Sequence, residues 1–550
     1  MVIATRRLGA AVLGAALFAL PFTARATDEK TAKPASTDKT EKAEGTATPA
    51  DSTTEGSVQV AGQSIAYTAV AGIITVGGTD EQDAQLGPDG KPLPGSQLAL
   101  SEPKEPQDAP PVARMFYVAY FKKDAKPESR PVTFFYNGGP GSSTVWLHMG
   151  SLGPKHVVTD TDQHLPAAPY KLIDNPNSLL DVSDLVFVDA PGTGFGRLVG
   201  KDAEKAFWGV DQDGGAFARF IARFITKYDR WNSPKFVFGE SYGTTRSAVL
   251  AKMLAEGKSI DLNGVILLSQ IFNFSVDIDG ANGNPGIDLP YVLALPTYAA
   301  TAWYHKKLPQ QPAELAPFLK EVEDFALNQY QHALAQGTDL SDQDKQAVAE
   351  KLHDYTGLPV AYLLKANLRV SGGEFEKTFA DSEDLTTGRY DTRFTGPTID
   401  PLSEEATYDP QSAAISSAYV SLLNGYVRNV LKYGEGQTYL PEVNTFGDGH
   451  MWDFKHNGNP VGLNVSSDLA DAMKENPRLK VMLNGGYYDL ATPFFGAEYE
   501  EKHLPIPKAL AKNIEYDWYP SGHMVYVRDE CVKQLHDRVA AFIKGASEGQ

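Results

Sequence analysis

The sequence contains one cysteine, Cys531, among 550 residues. A single thiol cannot form an internal disulfide, so the stability of the fold must come from its hydrophobic core. Cys531 lies in a segment of helical character near the end of the chain, which favours a core or surface thiol over a cysteine nucleophile.

Positive charge is also scarce. The chain has 50 Lys and Arg against 69 Asp and Glu, a formal net charge of −19 at pH 7. Nucleic-acid binding needs clustered Lys and Arg to neutralise phosphates, so no nucleic-acid partner is expected. The charge is typical of a soluble, mutually repelling surface.

Long hydrophobic runs are limited to the amino terminus, where residues 8–22 are apolar and follow Arg6 and Arg7. This run is shorter than the roughly 20 residues that span a bilayer as a helix. With the small residues around Ala24 and Ala26, it predicts an export signal over residues 1–26, the alternative being an uncleaved anchor. We therefore expect an exported protein, periplasmic or extracellular, with no membrane segment after cleavage. Residues 27–56 have almost no large apolar residue and are predicted to be a disordered linker.

Phosphate-binding motifs are missing as well. The glycine-rich segment Asn137-Gly-Gly-Pro-Gly-Ser-Ser143 follows a predicted strand but lacks both the Lys of a P-loop and a G-x-G-x-x-G pattern. A backbone N–H aimed at an oxyanion is the favoured interpretation, with Gly139 as the donor, and a plain tight turn is the alternative. Residues 277–288 superficially resemble a calcium loop but lack Gly at its sixth position, Asn or Asp at its fifth and Glu at its twelfth. No metal and no cofactor are expected.

The motif around which the chain is organised is Gly239-Glu-Ser241-Tyr-Gly243. It lies between an apolar run of strand composition and a segment of helical character, which is the context of a nucleophile elbow. Ser241 is the predicted nucleophile, and the N–H of Tyr242 is the predicted partner of Gly139 in an oxyanion hole.

Buried-type strands alternate with helices on both sides of this motif, which predicts an α/β fold with a largely parallel sheet. From about residue 290 to 459 amphipathic helical patterns replace the strands. We therefore predict a first core segment at 57–289, a helical cap insertion at 290–459 and a second core segment at 460–550.

A serine nucleophile needs an imidazole to accept its proton and a carboxylate to orient that imidazole. In α/β-hydrolases the chain order is Ser, acid, His, each just after a strand. Asp489 and His523 satisfy this order, whereas His450 precedes Asp489 and fails it. Asp517 and Asp529 lie near the histidine and stay open as alternative acids.

Five segments together resemble the serine carboxypeptidase family and occur in its order. They are Asn137-Gly-Gly-Pro-Gly-Ser-Ser143, Val186-Phe-Val-Asp-Ala-Pro-Gly-Thr-Gly-Phe195, Gly239-Glu-Ser-Tyr-Gly243, Gly486-Tyr-Tyr-Asp489 and Gly522-His-Met524. The resemblance runs from about Pro131 to the C-terminus. It implies an α/β-hydrolase fold with a helical cap, removal of single residues from peptide C-termini, often at acidic pH, and oxyanion donors at Gly139 and Tyr242.

The resemblance also implies a clamp for the substrate's terminal carboxylate, which the family builds from a Trp, an Asn and two Glu. Asn137 and Glu240 match the Asn and one Glu, but Phe135 stands in place of the Trp and Ser151 in place of the second Glu. Acids can grip a carboxylate only if at least one keeps a proton, and neighbouring carboxylates raise a pKa in that direction. The clamp is half-preserved.

The sequence therefore favours an exported serine hydrolase acting on peptide substrates from the C-terminal end. An esterase or acyltransferase using the same three residues is a close alternative, because an altered clamp frees the site for other acyl groups. A non-catalytic envelope binding protein is a third possibility from a different class. Side-chain preference, pH optimum and oligomeric state are not predicted.

Overall fold

The computed structural model describes residues 50–87, 90–96, 109–447, 451–458 and 462–548. The predicted export signal at 1–26 and residues 27–49 of the predicted linker lie outside these ranges, and so does His450.

Fourteen strands are described, and most belong to one sheet. They are β1 Ser52–Val60, β2 Gln63–Gly77, β3 Val112–Lys122, β4 Val132–Tyr136, β5 Lys155–Val157, β6 Leu172–Asp174, β7 Asp184–Val188, β8 Arg197–Val199, β9 Lys235–Glu240, β10 Gly264–Leu268, β11 Leu385–Thr387, β12 Thr395–Pro397, β13 Lys480–Gly486 and β14 Ile514–Tyr519. The main sheet has the order β1-β2-β3-β7-β4-β9-β10-β13-β14, with β8 beside β3. All pairings from β7 to β14 are parallel, and those among β1, β2, β3 and β7 are antiparallel.

The central strands are buried on both faces, which is why they have continuous apolar runs rather than alternating patterns. Along β4, for example, Phe135 joins the hydrophobic cluster on one face and Phe134 joins the cluster on the other. The predicted mostly parallel sheet is therefore confirmed.

Helices cover both faces of the sheet. They are α1 Asp80–Asp83, α2 Val145–Gly150, α3 Ala203–Phe207, α4 Val210–Lys227, α5 Tyr242–Lys258, α6 Leu289–Tyr304, α7 Leu315–Phe325, α8 Gln331–Ala335, α9 Asp342–Thr356, α10 Val360–Lys365, α11 Gly372–Thr378, α12 Pro410–Asn429, α13 Ser466–Glu475, α14 Phe494–Lys502, α15 Lys508–Ala511 and α16 Asp529–Glu548. Apolar residues of α4, α5 and α13 lie in one cluster, and those of α12 and α16 lie in the other. None of the helices in the described ranges is long and apolar enough to cross a membrane.

Strand β1 corrects the predicted linker, because it begins at Ser52, inside the segment 27–56. It pairs with β2 residue by residue from Ser52 with Ala71 to Val60 with Gln63, and only Val58 and Val60 are buried. An edge strand can be held by main-chain hydrogen bonds with few buried side chains. The polar composition that predicts disorder therefore does not exclude this strand.

Between β10 and β13 the chain leaves the main sheet and forms helices α6 to α13. Helices α6 to α11 pack around a third hydrophobic cluster, which also includes Tyr488 and Leu490 next to the predicted acid. The last described helix of this insertion, α12, ends at Asn429, and the described residues from there to Ser466 contain no helix. The boundaries drawn between core and cap stay predictions.

Candidate active site

The predicted nucleophile lies on a sharp turn between β9 and α5. Ser241 has φ 60° and ψ −130°, a conformation that is strained for a residue with a side chain. The turn is tight because a Cβ added at Gly239 would lie 2.2 Å from the carbonyl oxygen of Gly243. The predicted elbow geometry is therefore present, with Ser241 at the carboxyl end of a central strand.

The predicted acid and base follow β13 and β14, which are neighbours in the sheet. His523 Nδ1 lies 2.8 Å from Asp489 Oδ2, and both side chains are buried. Asp489 also accepts hydrogen bonds from the hydroxyl and the N–H of Thr492, at 2.7 and 3.0 Å. Burial opposes a charge on His523, but Asp489 and Glu240 outweigh it and raise the pKa of the imidazole.

The alternative acids point elsewhere. Asp517 forms an ion pair with Arg538 at 2.6 Å, and Asp529 lies 3.4 Å from His156. Of the three candidate acids, Asp489 alone contacts His523. Cys531 is buried in α16, and burial raises the pKa of its thiol to about 11, which disfavours the nucleophilic thiolate.

The carboxyl ends of β9, β13 and β14 thus bring Ser241, Asp489 and His523 to one edge of the sheet. In the part of the chain that the structure describes, the Ser241 hydroxyl makes no hydrogen bond, while its side chain is only half-buried. Catalytic hydrogen bonds are often long or poorly aligned before substrate binds. The catalytic roles of the three residues stay predictions.

The glycine-rich segment after β4 packs directly against the elbow. A Cβ added at Gly138 would lie 2.4 Å from the amide nitrogen of Tyr242, so only glycine fits there. Among the described residues, the backbone N–H groups of Gly139 and Tyr242 donate to no acceptor. Both predicted oxyanion donors are therefore free for a ligand.

A buried ion pair that the sequence analysis did not identify holds this arrangement. Arg246 on α5 pairs with Asp213 on α4 at 2.6 Å and donates to the carbonyl oxygen of Asn137 at 2.7 Å. The helix that begins at the nucleophile is thereby joined to the oxyanion segment. An arginine among the apolar residues following a nucleophile elbow is the sequence signal that could have identified it.

The two predicted clamp residues contact each other. Asn137 Nδ2 donates to Glu240 Oε1 at 2.8 Å, and Asn137 Oδ1 accepts from the N–H of Leu147 at 3.0 Å. Burial raises the pKa of Glu240 to about 7, although His523 lowers it. Glu240 Oε2 is buried and has no hydrogen-bond partner among the described residues. A protonated Glu240 can therefore donate to a ligand.

Neither departure from the family clamp supplies a replacement donor. Phe135 is fully buried and stacks between Phe187 and Phe238, with ring centroids 4.8 and 5.0 Å away. Ser151 is also buried, and its hydroxyl donates to the carbonyl oxygen of Leu147 at 2.6 Å. Phe135 is therefore used in core packing and the Ser151 hydroxyl in a backbone hydrogen bond, so neither side chain is available to bind a carboxylate.

A short segment of the insertion supports both loops of the acid–base pair. The carbonyl oxygen of Tyr390 accepts from the N–H of His523 at 2.6 Å, and the Tyr390 ring lies 5.0 Å from the imidazole. The carboxylate of Asp391 accepts from the N–H of Gly522 at 3.1 Å. The carbonyl oxygen of Arg389 accepts from the N–H groups of Leu490 and Ala491 at 3.0 and 3.1 Å. No sequence motif marks this segment.

The predicted metal-free loop at 277–288 takes part in the same region, where Asp279 accepts from Arg389 at 2.7 Å. Within the described ranges, no group of three or more His, Cys, Asp or Glu is placed to hold a metal ion.

A mostly parallel sheet, a strained serine after a central strand, and an acid and a histidine after the following strands define an α/β-hydrolase. The family model for serine carboxypeptidases matches residues 107–526 of the 550. The chain belongs to the serine carboxypeptidase family.

Individual relatives are similar over shorter stretches. Serine carboxypeptidase S10 family member 1 of Dictyostelium discoideum is 30% identical over 132 residues, which are 24% of this chain and 29% of that protein. Pheromone-processing carboxypeptidase KEX1 of Yarrowia lipolytica is 29% identical over 143 residues, 25% of this chain and 21% of that protein. These matches cover under a third of each relative. A solved proline iminopeptidase from Mycobacterium smegmatis covers 79% of this chain and 96% of its own at 14% identity, but the TM-score of 0.33 is too low to add to the fold assignment.

Proposed function

We propose that this protein is an exported serine carboxypeptidase that releases C-terminal residues from peptides. The observation that supports this best is the buried hydrogen bond between Asn137 and Glu240, the residue that immediately precedes Ser241 in the chain. A protonated Glu240 and the amide of Asn137 are hydrogen-bond donors for a carboxylate, the group that marks a peptide C-terminus. A site that bound only the acyl part of its substrate would not need these two hydrogen-bond donors.

In the proposed reaction, Ser241 Oγ attacks the last peptide carbonyl while His523 Nε2 accepts the hydroxyl proton. Asp489, bound to Nδ1, holds the imidazole in the correct tautomer and stabilises the imidazolium. The N–H groups of Gly139 and Tyr242 bind the oxyanion. The imidazolium then donates its proton to the leaving amine, which departs as the released residue. Water attacks the acyl-enzyme by the same route in reverse and frees Ser241.

The decisive experiment compares N-blocked dipeptides with free and amidated C-termini between pH 4 and 8. Wild type and Ser241→Ala are assayed side by side for residue release. We expect preferential cleavage of the free acid, lost in Ser241→Ala. Cleavage that ignores the terminus would contradict the exopeptidase proposal while leaving a serine hydrolase.

An esterase or acyltransferase is a second candidate, and the occupied side chains of Phe135 and Ser151 favour it, because half of the family clamp is missing. Turnover of simple esters without release from free-acid peptides would establish it. A serine-reactive phosphonate separates both enzymes from a non-catalytic binding protein, since only an active site would label Ser241.

Export is proposed from the amino-terminal sequence alone: two arginines, an apolar run and small residues before position 27. Mass determination of the mature protein from the producing cell tests it. A mature chain that begins close to Thr27 in a periplasmic or extracellular fraction is expected, and a full-length chain in the cytoplasmic fraction would refute export.

A further inference from the structure

Three buried polar atoms at the predicted clamp have no hydrogen-bond partner among the described residues. They are Oε2 of Glu240 and the hydroxyl groups of Tyr419 and Tyr526. Both tyrosines are completely buried, and Glu240 is 3% exposed. Buried polar groups in folded proteins are nearly always satisfied, and leaving one unpaired is costly. The Tyr526 hydroxyl faces Glu240 without a well-formed hydrogen bond, so a polar group bound between these side chains would satisfy all three.

The tyrosines reach this place from different parts of the chain. Tyr419 is on α12, in the insertion, and Tyr526 lies three residues after His523. Both rings converge on Gly150, where an added Cβ would lie 2.5 Å from the Tyr419 hydroxyl and 2.6 Å from Cδ2 of Tyr526. Gly150 is adjacent to Ser151, the position at which the family clamp would place its second acid.

The tyrosines also act on Glu240. The Tyr526 hydroxyl favours the ionised form of Glu240 and so lowers its pKa, against the larger effect of burial. It faces the Asn137 amide as well. Burial keeps the pKa of both phenols far above neutral, and the Glu240 charge raises them further. Both hydroxyls are therefore neutral and able to donate at neutral pH.

We propose that Tyr419 and Tyr526 complete the recognition site for the substrate's terminal carboxylate, in place of the missing second acid. This inference rests on the proposed carboxypeptidase function and names further residues that determine its specificity. The donors are the two phenol hydroxyls, the protonated Glu240 Oε2 and the second N–H of the Asn137 amide. Four donors match the roughly four lone-pair directions of one carboxylate.

An ordered water molecule is the competing occupant, because buried waters commonly satisfy orphaned polar groups. The two occupants predict different kinetics. A structural water leaves the preference for a free C-terminus unchanged when a hydroxyl is removed, whereas a substrate carboxylate loses a donor.

The test uses the full-length protein with Tyr526→Phe and Tyr419→Phe, assayed on the same N-blocked dipeptide as free acid and as amide. Tyr433→Phe is the matched control, because Tyr433 is also buried and its hydroxyl is also unpartnered among the described residues, but it packs between Phe116 and Phe195. We expect Tyr526→Phe and Tyr419→Phe each to raise KM for the free acid by about tenfold, as expected for a lost hydrogen bond to a charged group. The amide kinetics and kcat should change less than about twofold.

The outcomes separate cleanly. Unchanged selectivity in both tyrosine variants, with Ser241-dependent hydrolysis intact, overturns the tyrosine assignment and leaves the proposed function standing. Equal losses on acid and amide indicate a packing role and also overturn it. A wild-type enzyme that shows no preference for the free acid would instead contradict the proposed function itself. A thermal-unfolding midpoint close to that of wild type shows that a variant is folded.

Discussion

The pKa of Glu240 makes the preference for a free C-terminus depend on pH. Glu240 must be protonated to donate to a carboxylate, and burial raises its pKa to about 7. With that value, about 90% of Glu240 is protonated at pH 6 and about 10% at pH 8. Because its raised pKa favours the neutral form, recognition is present at low pH and is lost as the pH rises through 7.

His523 titrates over a similar range, so the absolute rate mixes two effects. The imidazole must be neutral to accept the serine proton, and its raised pKa slows catalysis at low pH. The ratio of kcat/KM for a free-acid dipeptide to that for its amide removes this contribution, because both substrates need the same base. We expect the ratio to fall about tenfold between pH 6 and 8.

Glu240→Gln provides the matched variant. A glutamine keeps an oxygen that accepts from Asn137 and has an N–H₂ group in place of the carboxyl proton, so it donates at every pH. The ratio should then be independent of pH between 6 and 8 and stay above one. A ratio in wild type that does not change over this range, or one that changes equally in Glu240→Gln, would refute the role of Glu240.

Three further predictions address the rest of the site and the fold. Asp489→Asn should lower kcat by roughly 10⁴-fold with little change in KM, because the imidazole of His523 loses its orienting carboxylate; a loss below about tenfold would reopen the assignment of the acid. Gly138→Ala should lower kcat by about 10²–10³-fold in steady-state assays, because its Cβ would lie 2.4 Å from the amide nitrogen of Tyr242 and displace an oxyanion donor; unchanged kcat would exclude this donor. His456 lies between two aspartates at 2.6 Å each, which raise its pKa to about 9 although burial opposes the charge. Its stabilisation is fully present below about pH 6.5 and lost as the pH rises through 9, so His456→Gln should lower the unfolding midpoint at pH 6 and hardly change it at pH 10. An equal effect at both values would contradict this.

The placement of Ser241, Asp489 and His523 at one edge of the sheet could be predicted from the sequence because each position depends on local patterns. Ser241 follows an apolar strand and precedes a helix, and Asp489 and His523 each follow a strand. In a parallel sheet the carboxyl ends of the strands lie at one edge, so chain order alone brings these side chains together. The choice among three candidate acids depends on the three-dimensional structure, because only there do the partners of Asp489, Asp517 and Asp529 differ visibly.

The prediction that used amino-acid composition alone, the end of the disordered linker, was less accurate than the predictions that used sequence motifs. The linker was predicted to reach residue 56, yet β1 begins at Ser52, because edge-strand pairing depends on the neighbouring strand and not on the apolar content of the segment itself. The tyrosines beside Glu240 were not predicted either. Tyr419 and Tyr526 are separated from Glu240 by 179 and 286 residues of chain, and neither lies in a motif.

Residues 389–391, which no sequence pattern identifies, show that the insertion contacts the loops of Asp489 and His523. Residues 389–391 accept main-chain hydrogen bonds from the loops of both Asp489 and His523, and Asp409 anchors the segment by accepting from the N–H groups of Arg389 and Tyr390 at 2.6 and 2.8 Å. The contacts of the Arg389 and Tyr390 carbonyl oxygens are between backbone groups, which almost any side chains could accompany. The contacts of Asp391 and Asp409 use side-chain carboxylates, but those residues are far from Asp489 and His523 in the chain, so no residue pattern reveals them. Because one segment contacts both loops, residues 389–391 fix the loop of Asp489 and the loop of His523 relative to each other. The insertion is therefore part of the frame that positions the acid and base, and not only a cover over the substrate.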